Sequence, residues 1–545
     1  MSGAVAEWRS SAAIGSDSAA SFRSILFPSS AAVEREQREP PAYFRDLHLD
    51  QVVAALIADR SEYDLAPFFH APLQDLDSIA YRQEVMRDLE RDGAMCAVTS
   101  FAERMRRARR LIAAIAKLSC EPAQQRWFLN GAQMYCEAVS KLSEDLNAVR
   151  SGVESRGLQA LRRYLDDYRA STEFLSLVQD AERVEQALAD VRYCILIKGD
   201  AVTVQRPEPD LDYVPLVEST FEKFRRAATR DYLARFSDTD LDTIATRVLE
   251  RVALLFPNTF QGLARFRAEH ADFFDPMIVA FDREVHFYIA YLALIAPLRR
   301  AGLQFCYPKV SRDSKGIVSR DSFDIALARK LVATGAPIVG NDFELRGPER
   351  VLVVSGPNQG GKTTFARTFG QLHHLACLGV LVPGSEARVR LFEGIFTHFE
   401  REEHVATLRG KLEDDLVRIH AILDAATPRS ILILNELFSS TTLQDAIYLS
   451  RKIMATISSL DAFGVWVTFL DELASFDDKT VSMVAAVSHE DPSLRTFKVE
   501  RRPADGLAYA VAIAEKYRVT GVWLERRIRA HVASSPRQER VVEGK

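Results

Sequence analysis

The stretch that most constrains this chain runs from Val351 to Arg367 and reads VLVVSGPNQGGKTTFAR. An apolar, β-branched run leads into a serine and a glycine-rich turn, and a lysine, two threonines and a helical pattern follow. Gly356, Gly361, Lys362 and Thr363 fill every fixed position of a phosphate-binding loop, G-x-x-x-x-G-K-[ST]. Glycines let the backbone curl without Cβ clashes, so that successive N–H groups converge on an anion. The helix that opens at Lys362 adds its positive end. Lys362 is expected to reach the terminal phosphates of ATP, and the Thr363 hydroxyl to hold Mg²⁺. A glycine-rich turn can arise by chance. Here the order strand, loop, helix argues against that, with Phe365, Phe369, Leu372 and Ala376 at helical spacing up to Gly379.

The 545 residues are enough for several domains. With 47% hydrophobic and 27% charged residues the composition is that of a globular protein. A net charge of −5 offers no general basic surface, so any contact with nucleic acid must come from local patches. The six cysteines are far apart, with no C-x-x-C pair, which points to a reducing, cytoplasmic setting and away from a disulfide frame or zinc site. No signal peptide is evident, and the most apolar helical run, Val285 to Ala296, is too short to span a bilayer; it is expected to be a buried helix.

Residues 1–40 read as a flexible arm, with a short ordered piece around Phe22–Phe27 as the alternative. Residues 41–310 read as long helices, an elongated lever, broken by a β-hairpin insert at 191–206. Arginines at 104, 106, 107, 109 and 110, and others at 225–230, are either solvated faces paired with acids or phosphate-gripping clusters. From 311 to 533 strands and helices alternate, as in an α/β nucleotide-binding domain, and 534–545 reads as a disordered tail. Ser430–Leu434 is a second buried-strand pattern ending in Asn435 and Glu436, where phosphate-loop enzymes place acids beside the metal. Asn435 sits where an aspartate is expected; an amide can accept a bond from a metal-bound water but adds no charge. A third strand, Gly464–Thr468, offers Thr468 as a polar group facing the γ-phosphate.

With these pieces placed, the chain resembles the MutS family of DNA mismatch-repair ATPases. Gly356-Pro357-Asn358-Gln359-Gly360-Gly361-Lys362-Thr363-Thr364 is similar to the family's GPNxxGK[ST]T. Asn435-Glu436-Leu437 with Thr441, Thr442 and Asp445 aligns without gaps on its DE-x-x-x-x-T-S/T-x-x-[DE] segment. Ile395-Phe396-Thr397 matches IFTR, with His398 at the arginine, and Tyr509–Ala512 with Val519–Arg526 resembles the closing helices that dimerise the domain. Phe69, Pro72, Leu73, Ile79 and Arg82 resemble the start of the helical core. The departures are Asn435 for the metal-binding aspartate, Phe469 for a histidine, Ile338 for an adenine-stacking aromatic, and Thr407–Leu412 for the SGRSTF-type signature, of which the Thr407 hydroxyl and Arg409 survive.

The resemblance implies a multidomain α + α/β chain, in which a helical core and lever precede an ABC-type P-loop ATPase domain. It implies ATP and Mg²⁺ as ligands, a homodimer, and a duplex or branched DNA partner in repair or recombination. Glu436 would orient the attacking water, Lys362 would stabilise the phosphoryl group, and Thr363, Asn435 and Glu436 would form the metal side. Thr407 of one subunit would approach the nucleotide of the other. The stretch before the helical core leaves no room for the family's mismatch-reading and connector domains, so family-style mismatch recognition is not expected. The other reading open at this stage is a nucleotide-gated scaffold that binds ATP, hydrolyses it poorly and presents its helices to a protein partner.

Overall fold

The structure, a computed structural model, describes residues 22–28, 36–198, 201–207, 238–313, 316–400, 410–488, 494–504 and 520–534. The chain divides into two compact units. One holds residues 87–285 with the amino-terminal stretch to Ile25; the other holds Leu26–Met86 with His286–Lys545. The sequence grouped residues 41–86 with the helical region, whereas the structure packs them in the second of these units. Among the described residues no helix is long and apolar enough to cross a membrane.

The first unit is helical, with Asp92–Ala114 packed on Glu121–Ala148, followed by Arg156–Arg169 and Thr172–Ala189. The first two helices approach closely at Gly131, where a Cβ would stand 2.6 Å from the Ile112 side chain. Tyr135 and Tyr168 share a hydroxyl–hydroxyl bond of 3.0 Å, and Tyr164 donates to Asp275 at 2.8 Å. Two members of the arginine cluster are spent on acids: Arg104 pairs with Glu137 at 3.1 Å, and Arg109 with the buried Asp282. The cluster at 225–230 lies outside the described residues. The expected hairpin is present as Cys194–Lys198 and Ala201–Gln205, antiparallel, with Ile195 opposite Val204 and Ile197 opposite Val202. Part of the expected arm is ordered: Phe22, Ile25, Leu26 and Phe27 are buried, and Glu284 accepts from Ser24 Oγ and Ile25 N, both at 2.8 Å.

The second unit is built on a six-stranded sheet. Its order is Gly394–His398, Ser430–Asn435, Phe463–Val467, Val351–Ser355, Thr480–Val487, Arg495–Arg501. Five strands are parallel and the last is antiparallel. The three central strands are buried at every residue, which is why they read as unbroken apolar runs rather than alternating ones. A smaller four-stranded sheet joins Lys309–Ser311, Glu386–Arg390, Ile317–Ser322 and Asn341–Leu345.

The helix Lys362–Cys377 is buried on nearly every side, including Gln371, His373 and His374. Burying polar groups costs stability unless each finds a partner. Here residues 43–82 supply several. Gln371 donates to the Leu47 carbonyl at 2.8 Å, and His374 bonds the Tyr43 hydroxyl at 3.0 Å and the Phe69 carbonyl at 2.9 Å. Arg367 donates to the Asp46 carbonyl at 3.0 Å. At Gly370 a Cβ would come within 2.6 Å of Leu47 and 2.5 Å of Ile433, so this segment and the sheet clamp the helix from two sides. That requirement explains why residues 41–86 fold with the second unit.

Candidate nucleotide site

The strand Val351–Ser355 ends in a loop whose shape depends on two left-handed glycines. Gly356 has φ 113°, and a Cβ there would meet the Ala485 backbone at 3.0 Å; Gly361, with φ 92°, caps the helix from Lys362. Gln359, although not glycine, also takes a positive φ of 61°. Such a backbone turns amides toward the loop's centre at the positive end of the helix. Lys362 Nζ folds over the loop and donates to the carbonyls of Gly356 at 2.9 Å and Pro357 at 3.1 Å, and to Asn358 Oδ1 at 3.3 Å. Burial holds the Lys362 ammonium below its ordinary pKa; Glu436 opposes that shift and Arg495 adds to it.

Parallel pairing brings the second strand's end beside the loop. Asn435 lies opposite Val467, and its Oδ1 accepts from Thr363 Oγ1 at 3.1 Å. Glu436 follows at φ 53°, with its N–H on the Val467 carbonyl at 2.9 Å. A non-glycine residue in this conformation is uncommon, and such strain clusters where a side chain must be aimed. Thr363, Asn435 and Glu436 form a set of oxygen donors: a hydroxyl, an amide and one carboxylate. That chemistry suits Mg²⁺ in kind, with the Thr363 hydroxyl free to offer a lone pair while it donates to Asn435. The set carries a single negative charge, so it fits the metal with reduced electrostatic attraction.

A cavity of about 620 Å³ opens at this point. Asn358, Gln359, Gly361, Lys362, Thr363, Thr364, Glu436 and Ile338 all line it. Gly356, Pro357 and Gly360 shape the loop behind, without lining the cavity, and Asn435 reaches it through Thr363. Thr407 lies outside the described residues.

Other expectations are corrected. Thr468 is buried, accepts from Leu470 N at 3.0 Å and does not line the cavity; it shapes the turn after its strand. Asp445, aligned on the family's segment, is committed to a helix cap, exchanging bonds with Thr442 at 2.8 and 3.3 Å.

The far wall of the cavity was not foreseen. Leu327 and Leu331 come from the helix Ile325–Thr334, whose N-cap Asp324 also accepts from Gln371 at 2.9 Å. Phe497 closes the wall from the edge strand at φ 58°, half exposed. Asn341 holds that backbone, donating to the Phe497 carbonyl at 3.1 Å and accepting from Val499 N at 2.7 Å. Phe497 stands alone between Thr496 and Lys498, so neither a motif nor a period marks it. The cavity thus has a polar, amide-rich end and an apolar end, the division expected for a nucleotide's phosphates and base.

Residues 352–522 match the family model of MutS domain V. Over 171 residues the chain is 28% identical to the DNA mismatch repair protein MutS of Chloroflexus aurantiacus, covering 31% of this chain and 17% of that protein. For MutS of Natronomonas pharaonis the identity is 27% over 234 residues, 42% of this chain and 26% of the relative. For that of Zymomonas mobilis it is 33% over 132 residues, 24% and 15%. The chain therefore spans about a quarter or less of the length of these relatives.

Proposed function

We propose that this chain, MutS-like through its nucleotide-binding half, is a dimeric, DNA-associated ATPase of DNA repair or recombination. The observation that carries the reading is the amide loop at 356–364 facing Glu436 across one cavity, with Lys362 folded over it. ATP would place its phosphates on the loop amides and its base between Ile338 and the wall of Leu327, Leu331 and Phe497. Lys362 would then bond the β- and γ-phosphates and stabilise the charge that develops on the transferring group. Glu436, aimed by its left-handed backbone, would accept a proton from the attacking water and orient it. Mg²⁺, when bound, supplies further neutralisation of the phosphates; the Thr363 hydroxyl and Asn435 amide would hold it on the loop side. Thr407 of the second subunit would approach the γ-phosphate. The exposed Val522, Leu524 and Ile528 of the helix Gly521–Ser534 support self-association of this half.

Two departures favour the second reading, a nucleotide-gated scaffold with poor hydrolysis. The neutral Asn435 occupies the aspartate position, and Phe469, half exposed, replaces the family's histidine. Steady-state hydrolysis with and without duplex and branched DNA separates the two. DNA-stimulated turnover that disappears in Glu436→Gln supports the ATPase. Nucleotide binding with neither turnover nor DNA association at low salt supports the scaffold.

A further inference from the structure

The strand Ser430–Asn435 runs into a turn that holds two left-handed residues, neither of them glycine. Glu436 has φ 53° and Phe438 has φ 60°, whereas Leu437 between them does not share that conformation. Glycine takes such a backbone freely; a Cβ crowds the neighbouring carbonyl, and a bulky residue there is a marked exception. The packing shows why the turn persists. Leu432 and Leu434 of the strand face a core cluster that includes Met454 and Ile457 of the helix Leu443–Leu460 and Trp466 of the neighbouring strand. Side chains alternate along an extended strand, so an unbroken continuation would drive Glu436 into that cluster. Instead Leu437 and Phe438 both enter it, Phe438 with no exposure at all, and Glu436 is left lining the cavity. Glu436 is thus held from both sides. Its N–H continues the parallel ladder onto the Val467 carbonyl at 2.9 Å, and two residues later the chain is sealed into the core by a ring.

We propose that Phe438 is a positioning residue of the nucleotide site: its buried ring holds the left-handed turn that aims the Glu436 carboxylate into the cavity. This rests on the nucleotide reading given above and deepens it. Burying a whole phenyl ring favours the turn by more than the left-handed backbone disfavours it. Strained conformations persist where the surroundings over-determine them, and the ring does so here. Glycine at 438 would relieve the strain and also loosen the turn, leaving Leu437 as the single apolar anchor after Glu436. The carboxylate would then sample directions away from the cavity. The phosphate loop and Lys362, carried by the strand Val351–Ser355, would keep their places. Misplacing a general base lowers turnover rather than binding. Phe438 does not itself line the cavity, so it acts through Glu436.

The test reads hydrogen exchange and turnover in the full chain. In nucleotide-free protein, amide exchange at 436–439 should speed up about tenfold in Phe438→Gly, with the strand at 430–434 and the helix Leu443–Leu460 unchanged. In steady state the same variant should lower kcat about tenfold and leave the ATP dissociation constant within about twofold. Phe438→Leu, which keeps a smaller apolar anchor, should show the same pattern at only about two- to threefold, and it carries the test if the glycine variant does not fold. In a Glu436→Gln background, followed by single turnover of labelled ATP, adding Phe438→Gly should change the rate by less than about twofold, because the group it positions is gone. A merely structural role would weaken binding together with turnover, slow both backgrounds equally, or loosen strand and helix along with the turn. Any of these overturns the proposal, as does unchanged exchange at 436–439. A wild-type chain that binds no ATP, or a Lys362→Ala variant that binds like wild type, sinks the nucleotide reading instead, and binding without turnover sinks the ATPase. In each of those cases the exchange measurement still decides whether Phe438 holds the turn.

Discussion

On one side of the cavity, Gly356 and Gly361 hold the backbone open, Lys362 spans the loop, and the helix behind it is locked by Leu47, Tyr43 and Phe69. On the other side, Asn435 and Glu436 offer one charge where two are usual, Thr468 is turned inward, and Phe469 faces out. The phosphate-facing side is complete in both sequence and support, and the metal-facing side is thinned. The difference teaches that holding a nucleotide and cleaving it are separable demands on one sheet edge. Amides and a lysine suffice for the first, whereas the second needs charges placed to within hydrogen-bond reach of water and metal.

The largest effect is expected on the complete side. Lys362→Ala should weaken ATP binding by about a hundredfold or more, since it removes a charge-assisted contact from a partly buried site. Calorimetry with unchanged affinity would break the comparison at its stronger end. On the thinned side, Glu436→Gln should leave the dissociation constant within about twofold while lowering turnover by about a hundredfold. Equal losses in binding and turnover would show that Glu436 helps hold the nucleotide, and the two sides would no longer be distinct.

Acid should strike the complete side through its scaffold. Burial lowers His373 and His374 from the usual 6.5 to about 4, so the folded protein keeps both imidazoles neutral. A depressed folded pKa means that the unfolded chain binds more protons between those values. The stability they secure is present above about pH 6.5 and is lost as the pH falls toward 4. At pH 5.5 the loss is on the order of 1.4 kcal/mol per histidine relative to pH 7.5. Urea midpoints over this range should fall in wild type and fall less in His373→Leu; parallel curves would contradict the assignment. The smallest effect belongs to the base wall. Phe497→Ala should weaken ATP binding by about fivefold, in line with loss of one aromatic contact. A base held chiefly on the Ile338 face would leave that variant near wild type.

How much of this was legible in the sequence depended on whether neighbours in the chain are neighbours in space. The loop and the buried strands at 351, 430 and 463 announced themselves, because a glycine-rich turn and unbroken apolar runs are local signals. The hairpin at 194–205 did so too, through its change of period. Phe497 gave no such signal. Its importance comes from the antiparallel edge strand that folds back beside a loop some 130 residues earlier in the chain, where Arg495 donates to the Asn358 carbonyl across a separation of 137. Nor could periodicity reveal that Gln371 and His374 are buried, since their partners, Leu47, Tyr43 and Phe69, lie more than 300 residues away. Asp445, legible in the sequence only through the family-like segment it shares with Glu436, is placed by its bond to Thr442 as a helix cap.

The central claim is that a triphosphate lies on the amides of residues 356–364. A crystal structure of the full chain with a non-hydrolysable ATP analogue tests it most directly. The account predicts β- and γ-phosphate oxygens within hydrogen-bond distance of Lys362 Nζ and of the backbone N–H groups from Gly360 to Thr364, with the base against Phe497. A nucleotide bound elsewhere, or phosphates out of reach of Lys362, would contradict it.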